Sequence, residues 1–372
     1  MKILVAPDSF KGSMSAVEVC DIVSSALKDA LPDCQVDCIP VADGGEGTVE
    51  SFVFACGAAV KSVQETGPDF NKVTADFAVM GDTAVIETAQ ACGLPLVGSA
   101  NNPVLATTFG VGELILAALD EGCRKFILGI GGSATTDGGI GCLSALGFRF
   151  SDSAMNAVTP NGMGLSQIKT VDISGADIRL ADCEFTVLCD VENPLYGENG
   201  AAYIYAPQKG ADAETVKFLD SALRNYENVV ISSLGVNSAF SAGSGAAGGM
   251  GYGLRVFLGA VLKSGAETVL DLCSFNQRAA VADVIITGEG KFDSQSLMGK
   301  LPGRIISRAG GKSVIVICGV STAENVQGVS AAFQTNPDRL PFETVLPTCR
   351  ESLYTVVFND VSHFLKKIEK NS

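Results

Sequence analysis

Residues 126–141, FILGIGGSATTDGGIG, constrain the fold more than any other stretch of the chain. An apolar run of strand type at 126–128 enters a loop with glycines at 129, 131, 132, 138 and 139, interleaved with Ser133, Thr135, Thr136 and Asp137, and a helical pattern follows. Glycines admit positive φ and close approach to the backbone, and a helix N-terminus offers N–H groups to an anion, so the pattern suits a phosphate cradle. Gly129, Gly131 and Ala134 also fit the strand-then-G-x-G-x-x-[GA] dinucleotide pattern, which is weak when it stands alone. A tight strand-to-helix turn is the plain alternative; the hydroxyls and Asp137 are what favour a site.

Around this stretch the chain alternates strand and helix. Residues 2–6 read as a buried strand and 7–12 as the loop after it, and Ser15 with Glu18 forms a capping box for a helix carrying Val19, Ile22, Val23, Ala26 and Leu27. A second strand at 36–41 runs into Asp43-Gly44-Gly45-Glu46-Gly47. Strand-like segments at 60–63, 73–79 and 84–87, separated by Gly67-Pro68 and Gly81-Asp82, predict antiparallel or mixed sheet. Further on, 185–188 reads as a strand, a long helix starts near Asp212, and the glycine-dense 238–253 reads as a loop into a helix at Leu254. Strands at 284–287, 313–318 and 344–346 close the chain.

A chain of 372 residues is long enough for two domains. Five parallel strands split around a long middle segment predict an α/β protein: a flavodoxin-like doubly wound parallel sheet from 1–60 and 270–372, with a second α/β domain of mixed sheet, 61–269, inserted into it.

Composition narrows the function. With 26 basic against 41 acidic residues, the net charge of −15 argues against non-specific binding to nucleic acid or to an anionic membrane, so an anionic substrate must meet local cations. Twelve cysteines without C-x-x-C spacing and a single histidine argue against a zinc site of Cys/His type; they read as reduced thiols of a cytoplasmic protein. No signal-peptide core and no membrane span is legible. His363, beside Phe364 and Leu365 in a terminal helix, reads as a packing residue, and histidine-dependent hydrolase chemistry falls with it. A Walker A loop is also missing, because Ile306 stands where Gly311-Lys312-Ser313 would need an upstream glycine.

Acids and cations gather instead at four strand ends: Asp8-Ser9-Phe10-Lys11, Asp43 to Glu46, Asp190 with Asn193, and Glu289-Gly290-Lys291-Phe292-Asp293. Ligands of open α/β sheets bind at such ends. A single Asp there is more often an N-cap, but several acids with lysines suit phosphoryl transfer, which needs amide-rich loops and lysines for phosphate, carboxylates for Mg²⁺ and a group to orient a hydroxyl.

The same blocks, in the same order, resemble the bacterial glycerate kinase family. They are Asp8-Ser-Phe-Lys11, Pro40-Val-Ala-Asp-Gly-Gly-Glu-Gly-Thr48, Gly129-Ile-Gly-Gly-Ser-Ala-Thr-Thr-Asp-Gly-Gly139, Cys189-Asp-Val-Glu-Asn-Pro-Leu195, Pro207-Gln-Lys-Gly-Ala211, residues 243–249 and Ile286-Thr-Gly-Glu-Gly290. The resemblance implies ATP-dependent, Mg²⁺-requiring phosphorylation of D-glycerate, usually at the 2-hydroxyl, in glyoxylate, glucarate or galactarate breakdown, with the site in a cleft between the domains. D-glycerate and ATP are then the partners, and a homodimer is the assembly considered.

Carried onto the motif positions, the roles inferred from chemistry are these. Asp190 is the base or orienter, with Lys11 and Asp43 beside it in the catalytic set. Gly131, Gly132, Ser133, Thr135, Thr136, Asp137 and Lys209 hold phosphates and nucleotide. Ser9, Asn193, Gln208 and Lys291 meet the substrate, and Glu46, Glu289 and Asp293 supply metal contacts, a role in which Asp43 also stands. Lys291 replaces what is commonly arginine, keeping charge while giving up bidentate geometry. A kinase for a related small hydroxy acid, and a non-catalytic sensor of glycerate or nucleotide, are the other readings.

Overall fold

A computed structural model of the protein describes residues 1–42, 44–98, 101–294, 296–297, 300–323 and 325–371. In chain order the described strands are β1 (Lys2–Val5), β2 (Gln35–Cys38), β3 (Ala59–Thr66), β4 (Lys72–Met80), β5 (Thr83–Glu87), β6 (Lys125–Gly129), β7 (Arg149–Ser151), β8 (Thr170–Asp172), β9 (Glu184–Leu188), β10 (Val261–Lys263), β11 (Val284–Phe292), β12 (Ser313–Ser321) and β13 (Val329–Gln334). The chain divides into two units. The first is made of Met1–Ala42, Glu50–Gly57 and Ala266–Ser372, and the second of Asp43–Val49 and Ala58–Gly265.

The first unit holds a parallel five-stranded sheet ordered β13-β12-β11-β1-β2, the flavodoxin order seen from one edge. Its central strands are apolar on both faces, as Ile3, Leu4 and Val5, Val284 to Ile286 and Val314 to Val316 are all buried, which is what covering helices on both sides require. The helix Ala16–Ala30 starts at the expected capping box: Ser15 Oγ accepts from Glu18 N, and Glu18 Oε2 accepts from Ser15 N. It buries Val19, Cys20, Val23, Ala26 and Leu27 in one cluster with Leu353, Val357, Val361 and Leu365 of the C-terminal helices. His363 is an exposed residue of the last helix.

Two details of this sheet differ from the sequence expectation. The fifth strand is β13, whereas 344–346 falls in the short helix Phe342–Val345 and the 3₁₀ turn Leu346–Thr348. Pro347 sits in the first turn of that element, where its missing N–H is harmless. β11 does not stop at Thr287 but continues through Gly288-Glu289-Gly290, paired to β12 as Gly288↔Ile317 and Glu289↔Cys318. A Cβ on Gly288 would lie 2.2 Å from the Ile317 carbonyl oxygen, so this glycine permits strand pairing instead of marking a turn.

The second unit holds a six-stranded mixed sheet ordered β10-β9-β6-β5-β4-β3. β3, β4 and β5 form an antiparallel meander, and β5, β6, β9 and β10 are parallel. The Phe126 and Phe185 rings, opposite each other on β6 and β9, stack with centroids 4.8 Å apart. The glycine-dense stretch turns helical earlier than expected: a helix spans Ala246–Leu258, broken by left-handed Ala247, Gly248 and Gly249. A Cβ on Gly248 would lie 2.2 Å from the Thr135 carbonyl oxygen, so the break seats this segment on the loop after β6. None of the described helices is long and apolar enough to cross a membrane.

Candidate active site

In the second unit the four parallel strands end level with one another, since Glu87 pairs with Gly129, Gly129 with Leu188 and Leu188 with Lys263. The residues just past these ends are therefore neighbours along one carboxyl edge, where open α/β sheets take ligands. Two glycine loops meet there. Gly131 N donates to the Gly44 carbonyl oxygen at 3.0 Å, a Cβ on Gly129 would lie 2.7 Å from that oxygen, and a Cβ on Gly131 would lie 2.7 Å from Gly45 Cα. The G-x-G spacing at 129 and 131 thus allows one backbone to rest on another. Asp43, expected in the catalytic set, lies outside the described residues.

Beyond that contact the loop is built around two buried charges. Lys209, in the 3₁₀ turn Pro207–Lys209, is 3% exposed, and its ammonium donates to Ser133 Oγ at 2.9 Å and to the Thr135 carbonyl oxygen at 2.6 Å. Burial lowers its pKa to about 8, while the Cys92 thiol and the Asp137 carboxylate pull it back up. The Asp137 carboxylate accepts from Thr108 N, Thr108 Oγ1, Gly139 N and Gly141 N at 2.8 to 3.3 Å. Burial pushes its pKa up, and those four donors oppose the shift.

Amides at the start of the short helix Ile140–Ala145, read from sequence as open to an anion, are therefore occupied by Asp137, and Thr108 Oγ1 takes Cys142 N. Polar groups that do face an unfilled role are nearby: Thr136 Oγ1 is buried without a hydrogen-bond partner, and Gly132 is exposed with φ +76°. Thr108 was not singled out from the sequence, where a threonine ahead of a helix looks like an ordinary cap.

Glu87 was also passed over, although it ends β5 as other strand-end acids end theirs. It is 3% exposed, and its Oε2 accepts from Gly47 N at 3.1 Å beside the Thr48 and Val49 amides, which open the helix Thr48–Cys56. Burial raises its pKa to about 7, those amides lower it, and the exposed Glu46 adds repulsion. Glu46, an expected metal contact, is thus brought to Glu87.

Asp190 is exposed just past β9 and accepts from Gly265 N at 3.3 Å. Asn193 is committed to its own neighbourhood, donating from Nδ2 to Asn199 O and accepting from Tyr205 Oη at 2.6 Å. Gln208 is exposed beside Lys209.

The first unit carries the remaining expected residues at its own switch point, between β1 and β11. Asp8 N donates to the Gly288 carbonyl oxygen at 2.9 Å, Asp8 Oδ1 accepts from Ser9 N, and a Cβ on Gly290 would lie 3.7 Å from Lys11 N. Ser9 and the exposed Lys11 are therefore brought beside the segment holding Glu289. Glu289 is 7% exposed, its Oε1 is buried without a partner, and burial raises its pKa against the pull of Ser296 and Lys300. Asp293 lies close enough to add to that rise, and pairs with Lys291 Nζ at 3.0 Å. Among the described residues, no three His, Cys, Asp or Glu side chains gather around a common point.

Known proteins resemble this chain over nearly its whole length. The glycerate kinase family model matches residues 3–364. A glycerate kinase of Bacillus subtilis (strain 168) is 43% identical over 353 residues, 92% of each chain. A glycerate 2-kinase of Escherichia coli (strain K12) is 44% identical over 342 residues, 90% of each. A crystal structure assigned to glycerate kinase 2 of Salmonella typhimurium LT2 superposes with a TM-score of 0.88 at 41% identity, covering 100% of this chain and 99% of that one. With motifs, fold and relatives in agreement from one end to the other, the chain belongs to the glycerate kinase family.

Proposed function

We propose that the protein transfers the γ-phosphoryl group of ATP, with Mg²⁺, to the 2-hydroxyl of D-glycerate, giving 2-phospho-D-glycerate in cytoplasmic organic-acid breakdown of the glyoxylate, glucarate or galactarate type. The observation that carries this reading is the buried Lys209 ammonium seated on the glycine loop at Ser133 and Thr135, a pre-organised cation where an anionic ligand needs one. The name of the E. coli relative, a glycerate 2-kinase, supports the choice of hydroxyl.

In this reading Gly132, Ser133, Thr135 and Thr136 receive phosphate oxygens, and Lys209 offsets their charge. Asp137 positions the loop through Thr108, Gly139 and Gly141. Asp190, at an exposed strand end, orients the glycerate hydroxyl and accepts its proton as the oxygen attacks phosphorus. Ser9, Lys11 and Gln208 meet carboxylate or phosphoryl oxygens.

The buried, unpartnered Glu289 Oε1 with Asp293 beside it fits a hard cation, which commonly takes one or two carboxylates together with phosphate oxygens. Mg²⁺ bound there supplies charge neutralisation on the phosphates.

Lys291 favours a second reading, a kinase of broader hydroxy-acid range, because an exposed ammonium paired with Asp293 fixes a carboxylate less tightly than a guanidinium. Turnover of D-glycerate, L-glycerate, tartronate and lactate in parallel with ATP and Mg²⁺ separates the two: the first reading expects D-glycerate alone, the second several acids, and no turnover rejects both.

A further inference from the structure

We propose that Cys56 and Cys273 form a reversible intramolecular disulfide when the protein meets a hydroperoxide. Both belong to the first unit, and their sulfurs lie 3.7 Å apart. Cys56 is the last residue of the helix Thr48–Cys56 and is partly exposed; Cys273 follows the helix Gly265–Leu272 and is 4% exposed. A partly exposed cysteine with a buried one in contact behind it is the arrangement of an attacking and a resolving thiol.

The surroundings support the same division of roles. Arg278 Nη1 donates to the Cys273 carbonyl oxygen at 3.4 Å, and the guanidinium is held in place by Asp37 and by the Cys38 carbonyl oxygen at 2.7 Å. Hydrogen bonding from Cys273 and this fixed positive charge lower the Cys56 pKa to about 7, against burial, whereas the same pairing pushes Cys273 up. Among the described cysteines whose thiols are displaced, Cys56 is the one moved down; burial pushes Cys20, Cys34, Cys92, Cys123, Cys142, Cys183, Cys189 and Cys318 up. Cys20 and Cys38 are also paired through their thiols, with the Cys38 sulfur 3.9 Å from the Cys20 carbonyl oxygen, but Cys20 is fully buried and burial, with that pairing, pushes its thiol up.

In the first step the Cys56 thiolate attacks an oxygen of the hydroperoxide: an S–O bond forms, the O–O bond breaks and an alcohol, or water from hydrogen peroxide, leaves with the proton. Cys56 is now a sulfenic acid. Cys273 sulfur then attacks Cys56 sulfur, the S–S bond forms, and the sulfenic oxygen leaves as water with the Cys273 proton. Two thiols have been oxidised by two electrons and the hydroperoxide reduced by two; a dithiol reductant reverses the change. The bond would join the Glu50–Gly57 segment of the first unit to the one that begins at Ala266, across the excursion of residues 58–265 into the second unit.

The test treats the full-length reduced protein with a stoichiometric dose of hydrogen peroxide and titrates thiols in denaturant. Two of the twelve thiols are expected to disappear, a peptide linking Cys56 to Cys273 to be found by mass spectrometry, and dithiothreitol to restore both. In Cys273→Ser the expected product is a Cys56 sulfenic acid captured by dimedone, and Cys56→Ser is expected to retain its remaining thiols at that dose. Twelve surviving thiols, a linked peptide from another pair, or loss of two thiols in Cys56→Ser would each overturn the proposal.

Discussion

Lys209 Nζ lies 2.6 Å from the carbonyl oxygen of Thr135, a residue 74 positions earlier in the chain, and so clamps the glycine loop from a separate turn. Replacing it with methionine keeps the packing, removes the ammonium and leaves the Thr135 oxygen unpartnered. Turnover should fall by about a hundredfold to a thousandfold. Because burial holds the Lys209 pKa at about 8, the wild-type rate should decline as pH rises through that value, and Lys209→Met should lose this limb. Steady-state rates between pH 6 and 10 check both outcomes.

Asp137 differs from Lys209 in that four donors, three of them backbone amides, converge on its carboxylate. Asp137→Ala strands the buried amides of Thr108, Gly139 and Gly141 and should lower stability by roughly 3–5 kcal/mol. Denaturant unfolding reads this directly. Activity lost through Asp137 is expected to track unfolding, whereas activity lost through Lys209 is not.

Asp190 should behave as a reacting-centre residue. It is exposed, so Asp190→Asn has little packing to disturb, yet turnover should drop by about a hundredfold to ten-thousandfold. Melting temperature measured on the same sample should barely move; full activity would reject its assigned role.

Gly131 and Gly47 separate two uses of glycine. Alanine at 131 puts a Cβ 2.7 Å from Gly45 Cα, so the two loops must part, at about 1–3 kcal/mol and with loss of turnover. Gly47 has φ +87° and open space around its missing Cβ, so Gly47→Ala should cost only about 1 kcal/mol, from backbone strain. Paired chemical melts of the two variants test the difference.

Glu65 gives a pH prediction away from the site. It is 1% exposed, its Oε1 has no partner, and burial followed by Glu113 repulsion raises its pKa from 4.5 to about 8. The folded state therefore keeps a proton that the unfolded state releases between those values. Its contribution to stability is complete below 4.5 and is lost as pH rises through about 8. Glu65→Gln should leave stability nearly unchanged at acidic pH and raise it by roughly 1–3 kcal/mol at alkaline pH. Thermal melts at both ends of that range decide it.

Much of the fold was legible because its signals are local. The Ser15–Glu18 capping box starts a helix as read, and the apolar strands β1, β11 and β12 are recognisable as runs buried on both faces. β13 was missed because an edge strand built from Val329-Ser-Ala-Ala-Phe-Gln334 is only half buried and carries small residues, while 344–346 imitates a strand through its β-branched pair. The candidate site residues were legible as a strand-end set. What no local signal carried was the partnership of Lys209 with Ser133 and Thr135, the capture of the helix amides by Asp137, and the seating of Gly131 on Gly45, since each joins stretches distant in sequence. Glu87 was available to the same strand-end rule that found Asp190.

Phosphorus NMR of the product formed from D-glycerate, ATP and Mg²⁺ tests the proposed reaction most directly. A phosphomonoester on the secondary carbon, 2-phospho-D-glycerate, is expected to appear in step with ADP. A 3-phosphoglycerate product would contradict the assigned hydroxyl, and glycerate binding with no new phosphorus resonance would contradict the enzymatic reading itself.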